Sequence, residues 1–464
     1  MYQTTVEGLP CREGKRVSFA GRVAGAMECR AGYILREALG AETAAVSAGV
    51  RAGEEGIDLL PDSGKALFIS YREMLEITPS DYRVEISLGK GARLTLMNLG
   101  RSFDDLVRTL RASRNELTLR DMLMHEQLLR QGVKAELSVG DAGSSARIST
   151  PVEARLYQTA LVLVPESRDP VRIPYGFVED IRDEDYRLVI RVEGEGDYTL
   201  SRMGRHHDDF RRTLAGAMND LALESQAMLG ELAPGVEQPA IRRAASLMRD
   251  GRAAARRDLD AIDPLIWPRL ESGLEAVGIS EEYRFLRSMM GAGDVFIGFK
   301  RGLASESGGD YIWFLVPLIG TGPDAPGNAM AMEAGDSEGG SRATYFFRIT
   351  GRDDYRLVHG TGAKEELAAR SAETLNRCLL AVNFRREPIY LPDERLVEPQ
   401  YARYWHSVRT LPELKQLRKL FIGRVIHSSP EQWKADVLDL LEFNVKAAND
   451  QEKWKKGRAG PAGC

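Results

Sequence analysis

Four arginines, Arg242, Arg249, Arg252 and Arg256, are spaced 7, 3 and 4 residues apart, which places them on one helical face of a segment, Glu237–Met290, whose helical pattern breaks near Gly251 and around Asp263-Pro264. A row of guanidinium forks can hold phosphate oxygens or anionic headgroups through paired N–H donors. Arg243 and Arg257 stand beside the row, and Asp250 and Asp258 offset part of its charge. These four residues are the candidate anion- or partner-binding site. The plainer alternative is the solvated face of a helix packed on its apolar side, through Ile241, Ala244, Met248, Ala255, Leu259 and Ile262. Near an anionic bilayer each arginine is worth about 1 kcal/mol, so four reach only about millimolar affinity. Stable membrane attachment would then need a partner or avidity.

Other spacings point to chemistry and then fail on context. His206-His207-Asp208-Asp209 has metal-ligand residue types, but neighbouring residues rarely converge on one ion. His125-Glu126 opens a zinc-protease motif whose second histidine is replaced by Leu129. Gly335-Asp336-Ser337-Glu338-Gly339 matches the nucleophile-elbow pattern, which works only where a strand turns sharply into a helix. Here a Gly-rich stretch precedes the motif, strand-like residues follow it, and nothing aligns an acid behind His359. Ser337 is therefore expected to be chemically ordinary, and a hydrolase is the weakest reading. No phosphate-binding loop is present, and Gly291-x-Gly293 lacks the remaining dinucleotide spacing. No catalytic residue, metal or cofactor is expected.

The chain has 464 residues, a formal net charge of −5 and 43% hydrophobic residues. That length suits about three domains, and the mild acidity argues against a nucleic-acid partner. No apolar run is long enough to span a bilayer, and Met1–Pro10 lacks the pattern of a secretory signal. The four cysteines form no C-x-x-C pair, as suits a reducing compartment. A cytoplasmic protein is expected, with a peripheral position at the inner face of the membrane as the alternative.

Positions 81–117 and 185–221 align without a gap at an offset of 104, with 15 of 37 residues identical. Asp81-Tyr82-Arg83 falls on Asp185-Tyr186-Arg187, Gly100-Arg101 on Gly204-Arg205, and Asp104-Asp105 on Asp208-Asp209. Upstream, Tyr71 falls on Tyr175 and Ile77 on Ile181. Each copy begins with two-residue alternation, at Val84–Leu88 and Arg93–Met97 or at Arg187–Val192 and Asp197–Ser201, which predicts a hairpin. Further strands are expected at Ala66–Ile69, Met74–Ile77, Arg155–Val164 and Val171–Pro174. The period then lengthens to that of a helix starting near Asp104 or Asp208. Ser102 or His206 stands in the N-cap place, and the aspartates fill a first turn where carboxylates suit the unpaired N–H groups.

The run Val171–Ile181, the hairpin after Asp185 and the helix from Asp208, with their counterparts Leu67–Ile77, the hairpin after Asp81 and the helix from Asp104, resemble the bacterial pleckstrin-homology-like (PH/GRAM-like) superfold. The resemblance covers roughly residues 10–130 and 131–230. It implies antiparallel barrel or sandwich modules, each closed by a C-terminal helix, acting as platforms for lipid, peptide or protein. No paired basic motif for inositides stands in the early strands. The expected class is α+β, with modules at 1–130 and 131–232, a helical segment at 233–290, an α+β domain at 291–390 and a helical extension at 391–464. Within the fourth segment, Gly320–Ser341 is expected as a loop, and Asp354-Tyr355-Arg356-Leu357 suggests a degenerate third copy. The function so implied is a non-enzymatic scaffold or adaptor with an unidentified protein partner. The alternative is a peripheral membrane protein using the Arg242–Arg257 face.

Overall fold

Strict alternation of buried and exposed residues builds the first third of the chain. In the computed structural model, residues 27–446 are described apart from 38–39, 41, 124–125, 141–148, 167, 292, 301–310, 321–326, 337–342, 352–353 and 356–360. Seven strands come first: β1 (Met27–Arg36), β2 (Val46–Ala52), β3 (Gly56–Pro61), β4 (Leu67–Ser70), β5 (Met74–Ser80), β6 (Arg83–Leu88) and β7 (Arg93–Met97). They form one antiparallel sheet in the order β4-β3-β2-β1-β7-β6-β5. Helix α1 (Phe103–Leu123) follows, and its Leu106, Val107 and Leu110 join Ile57, Leu59, Val84, Ile86, Leu94 and Leu96 in a dry core.

The second module repeats this plan with β8 (Leu128–Gly140), β9 (Ser149–Tyr157), β10 (Ala160–Pro165), β11 (Val171–Pro174), β12 (Val178–Glu184), β13 (Arg187–Val192), β14 (Gly196–Ser201) and α2 (His207–Leu232). Its sheet order is β11-β10-β9-β8-β14-β13-β12, the same topology. The offset of 104 carries β3, β4, β5 and β6 onto β10, β11, β12 and β13 to the residue. Even the β-bulge repeats, between Met74 and Glu76 and between Val178 and Asp180. The one long strand expected over Arg155–Val164 is two strands, because the chain reverses at Gln158-Thr159. Both helices start one residue before the aspartates, after 3-10 turns at Gly100–Ser102 and Gly204–His206, and His206 makes no side-chain capping bond.

The remainder forms one helix-covered sheet. Its elements are α3 (Gln238–Leu247), β15 (Ala254–Ala255), α4 (Arg256–Asp260), α5 (Ile266–Ala276), α6 (Ser280–Ser288), β16 (Phe296–Lys300), β17 (Tyr311–Leu318), β18 (Ala329–Asp336), β19 (Ala343–Arg348) and α7 (Thr361–Ala381). Then come α8 (Glu387–Tyr390), α9 (Asp393–Leu396), α10 (Ala402–Thr410), α11 (Pro412–Leu420), β20 (Phe421–Ile426) and α12 (Pro430–Lys446). The strands run in chain order from β15 to β20. One sheet face, with Ile297, Phe314 and Phe346, packs on Trp267, Leu286 and Trp433. The other, with Trp313, Leu315 and Phe347, packs on Leu375, Leu379 and Leu417.

Four expectations change here. Gly320–Ser341 is not one loop, since β18 lies inside it and pairs with both β17 and β19. Residues 391–464 are not purely helical, since β20 pairs with β19. With β15 at the other edge, the limits drawn at 290 and 390 fall within one sheet and its cores. The suggested third copy also fails in topology. Asp354 and Tyr355 sit in a helical turn, with the Tyr355 N–H on the Gly351 carbonyl, rather than at a hairpin tip. No described helix is long and apolar enough to cross a membrane.

Candidate functional site

The arginine row is not a row. Helix α3 ends at Leu247, Asp250 takes a left-handed φ of 57° and Gly251 one of 88°, so the four guanidinium groups lose helical register. Arg242 is exposed on α3, while Arg249 is half-buried with its Nε donating to the Ser246 carbonyl at 3.1 Å. Burial, reinforced by the nearby Arg252 charge, pushes the Arg249 pKa down. Arg252 turns into the junction with the second module, donating to Glu193 at 2.7 Å and Glu373 at 2.9 Å and lying over the Phe177 ring. Arg256 starts a new helix, pairs with Asp260 at 3.1 Å and lies over Trp267. Three of the four are structural in their contacts.

The other motifs are also placed. Gly335 and Asp336 end β18 and the next element is β19, so a strand, not a helix, follows the Gly-x-Ser-x-Gly run; Ser337, His125 and His359 lie outside the described residues. His207 is buried between Asp183 at 3.4 Å and Asp208 at 3.3 Å. His206 stands in the 3-10 turn before it.

What the duplication does build is a pair of matching corners at one end of each module. The hairpin β5–β6 turns through Asp81 and Tyr82, at φ 47° and 56°, and β12–β13 through Asp185 and Tyr186, at 50° and 59°. Beside them the chain leaves the last strand through Asn98 and Gly100, at 59° and 53°, or Arg202 and Gly204, at 58° and 54°. A two-residue hairpin favours left-handed residues because their twist matches the strands, and Asn-Gly is the usual solution. Tyrosine in that conformation costs about 1–2 kcal/mol. Both copies nevertheless keep it, and both rings are largely in solvent, at 72% and 79% exposure. Tyr82 leans on Phe103, with ring centroids 5.4 Å apart, and Tyr186 on His207 at 5.9 Å. Arg83 and Arg101, or Arg187 and Arg205, are exposed around each ring. An open cleft of about 570 Å³ lies between the two loops of the first corner.

The opposite end of each module is closed by the C-terminal region. Tyr71 and Tyr175 are the buried anchors of matching 3-10 turns, their hydroxyls donating to the Gly53 and Tyr157 carbonyls at 3.1 and 3.0 Å. Helix α10 covers the first turn. His406 lies 2.8 Å from the Thr118 hydroxyl and 3.3 Å from the Arg72 carbonyl, and Arg409 crosses Gly89. Helix α7 covers the second, where Arg377 bonds Glu193 and Glu195, and Leu380 enters the module's core. A Cβ on Gly176 would meet Leu380 at 3.1 Å, so glycine permits that approach. Burial, aided by the Arg114 charge, pulls the His406 pKa down to about 4.

A second polar cluster lies inside the third sheet. His427 sits between Glu282 at 3.3 Å and Glu333 at 3.1 Å; Thr344 donates to Glu333, and Trp433 Nε1 donates to Thr344 at 3.0 Å. Burial opposes charge on the His427 ring, but hydrogen bonds to Glu282 and Glu333 prevail and lift its pKa to about 9. Sequence reading missed this group because its members, from Glu282 to Trp433, are up to 151 positions apart. The tyrosine corners, in contrast, were visible as the repeated Asp-Tyr-Arg phrase.

No protein-family model matches the sequence, and no curated protein matches it.

Proposed function

We propose that the protein is a non-enzymatic scaffold or adaptor whose tandem PH-like modules present two equivalent protein-binding corners, at Tyr82 and Tyr186. The observation that carries this reading is the repeated exposure of a tyrosine in a backbone conformation that disfavours it. Folding alone would be better served by asparagine or glycine at both tips. An exposed ring flanked by arginines is the composition of an interaction anchor, since aromatic and Arg side chains dominate binding energy in protein interfaces. The open cleft suits a loop or side chain of a macromolecule better than enclosure of a small molecule. The membrane alternative loses its support, because Arg252 and Arg256 are engaged by carboxylates within the chain.

The test is recovery of partners from the native host by affinity purification with quantitative mass spectrometry, comparing the native chain with Tyr82→Asn/Tyr186→Asn. Asparagine tolerates the left-handed backbone, so the variant keeps its fold and loses only the rings. Loss of the specifically enriched partners is expected. Unchanged enrichment would overturn the reading.

A further inference from the structure

The two modules differ in what covers the outer face of β2–β4 and its counterpart β9–β11. In the second module a row of outward residues crosses the strands, Arg155 opposite Val162 and Val162 opposite Arg172. That row is covered. Helix α1 lies on it, with Glu116 bonded to Arg155 and with Leu119 and Met122 packed on Val162, which is fully buried. The offset of 104 maps the row onto Arg51, Asp58 and Phe68, which are paired in the same register. There the face is open: Phe68 is 55% and its diagonal neighbour Leu60 43% exposed. Arg51 keeps the place of Arg155 and, among the described residues, bonds only sideways to Asp58, at 2.8 Å.

We propose that this open face of the first module docks a helix of a partner protein presenting one carboxylate and two large apolar side chains at three-residue spacing, the Glu-x-x-Leu-x-x-Met pattern of Glu116, Leu119 and Met122. On a helix these three residues share a face, so the carboxylate reaches Arg51 while the apolar pair covers Phe68 and Leu60. The duplicate surface shows where such a helix can lie: Arg51 keeps the place of Arg155, while Asp58 and Phe68 stand for Val162 and Arg172, so the apolar contact moves from the middle of the row to Phe68 and Leu60. The segment before β1 does not carry this pattern: among residues 1–26 neither Glu7 nor Glu13 is followed by large apolar residues at both three and six positions on. This surface is separate from the tyrosine corners, and the inference stands without them.

The probe is a fluorescent peptide of residues 112–123, stapled on its solvent side because free helices this short are marginal, titrated with the full chain by anisotropy. The second module's face is filled by α1, so added peptide reads the first. Saturable binding is expected, weakened at least about tenfold by Phe68→Asp and by Arg51→Glu, and recovered by pairing the Arg51→Glu chain with a Glu116→Arg peptide. Leu60→Ser serves as a milder variant, with circular dichroism confirming that each chain is folded. Absence of saturation below about 1 mM overturns the proposal. So does binding indifferent to Phe68→Asp but lost on Val162→Asp, which would mean exchange with α1. A dimer seen by sedimentation and abolished by Phe68→Asp would assign the face to a second copy and equally overturn it.

Discussion

Thr118 and His406 are 288 residues apart in sequence, and the Thr118 hydroxyl meets the imidazole Nε2 at 2.8 Å. The contact fastens α10 of the C-terminal region to α1 of the first module. The ring is buried, its hydrogen-bonding neighbours are an uncharged hydroxyl and the Arg72 carbonyl, and its pKa lies near 4. Asp121 and Asp169 favour the charged ring but are outweighed by burial and Arg114. The unfolded chain therefore binds the extra proton first as pH falls.

This depressed pKa sets an acid limit on stability. The His406 contribution is complete above about pH 6.5 and is lost as pH falls through about 4; the span corresponds to a loss on the order of 3 kcal/mol. Chemical denaturation between pH 7 and 4 should show this slope, and His406→Gln should flatten it. An unchanged slope in that variant would refute the assignment.

His427 sets the opposite limit. Its pKa is raised, so its contribution is complete below about pH 6.5 and is lost as pH rises through about 9. The native protein should lose stability between pH 7 and pH 10, and His427→Gln should lose less over that interval. Imidazole proton shifts followed by NMR provide a direct check, since a His427 titrating below about pH 7 would contradict the paired geometry.

Replacing the corner tyrosines should not weaken the fold. Tyr82→Asn and Tyr186→Asn each relieve left-handed strain of about 1–2 kcal/mol and forfeit a ring contact worth about 0.5–1.5 kcal/mol. Thermal unfolding midpoints are expected to stay level or rise. A clear drop for either variant would mean that the ring is structural and would remove the reason for reading it as a binding anchor.

The parts of this fold that were legible in sequence are those whose information is local. Alternation marked β6 and β7, and the repeat transferred those limits to β13 and β14. Strand β18 escaped because Ala329-Met330-Ala331-Met332 carries no β-branched or aromatic residue. Strand β20 escaped because Phe421-Ile422 follows directly on the helical Leu414 and Leu417. The arginine row was misread because its spacing was placed on one helical face across the break expected near Gly251, and at that break the backbone turns left-handed. The cluster around His427 and the contact of His406 with Thr118 depend on segments brought together only by tertiary packing.

The pair Glu126–Arg172 tests how the second module is joined to α7. Both side chains are 3% exposed and lie 3.1 Å apart. Glu126 also accepts from the Thr159 N–H at 2.7 Å and the Thr159 hydroxyl at 2.6 Å, while Arg172 donates to the Leu380 carbonyl at 2.8 Å near the end of α7. Burial alone would raise the Glu126 pKa, but the Arg172 charge and the Thr159 bonds more than reverse it, so the pKa is lowered. Arg172→Met removes the compensating charge and strands a carboxylate in the interior, which should cost about 3–5 kcal/mol. Adding Glu126→Gln removes the stranded charge, so the double variant should be more stable than Arg172→Met alone. It should still fall short of the native chain, because the last turn of α7 has lost its donor. Denaturation midpoints of the four proteins at neutral pH decide the matter. Strictly additive losses would show that the two charges are not coupled and that the junction is held by apolar packing around Leu380.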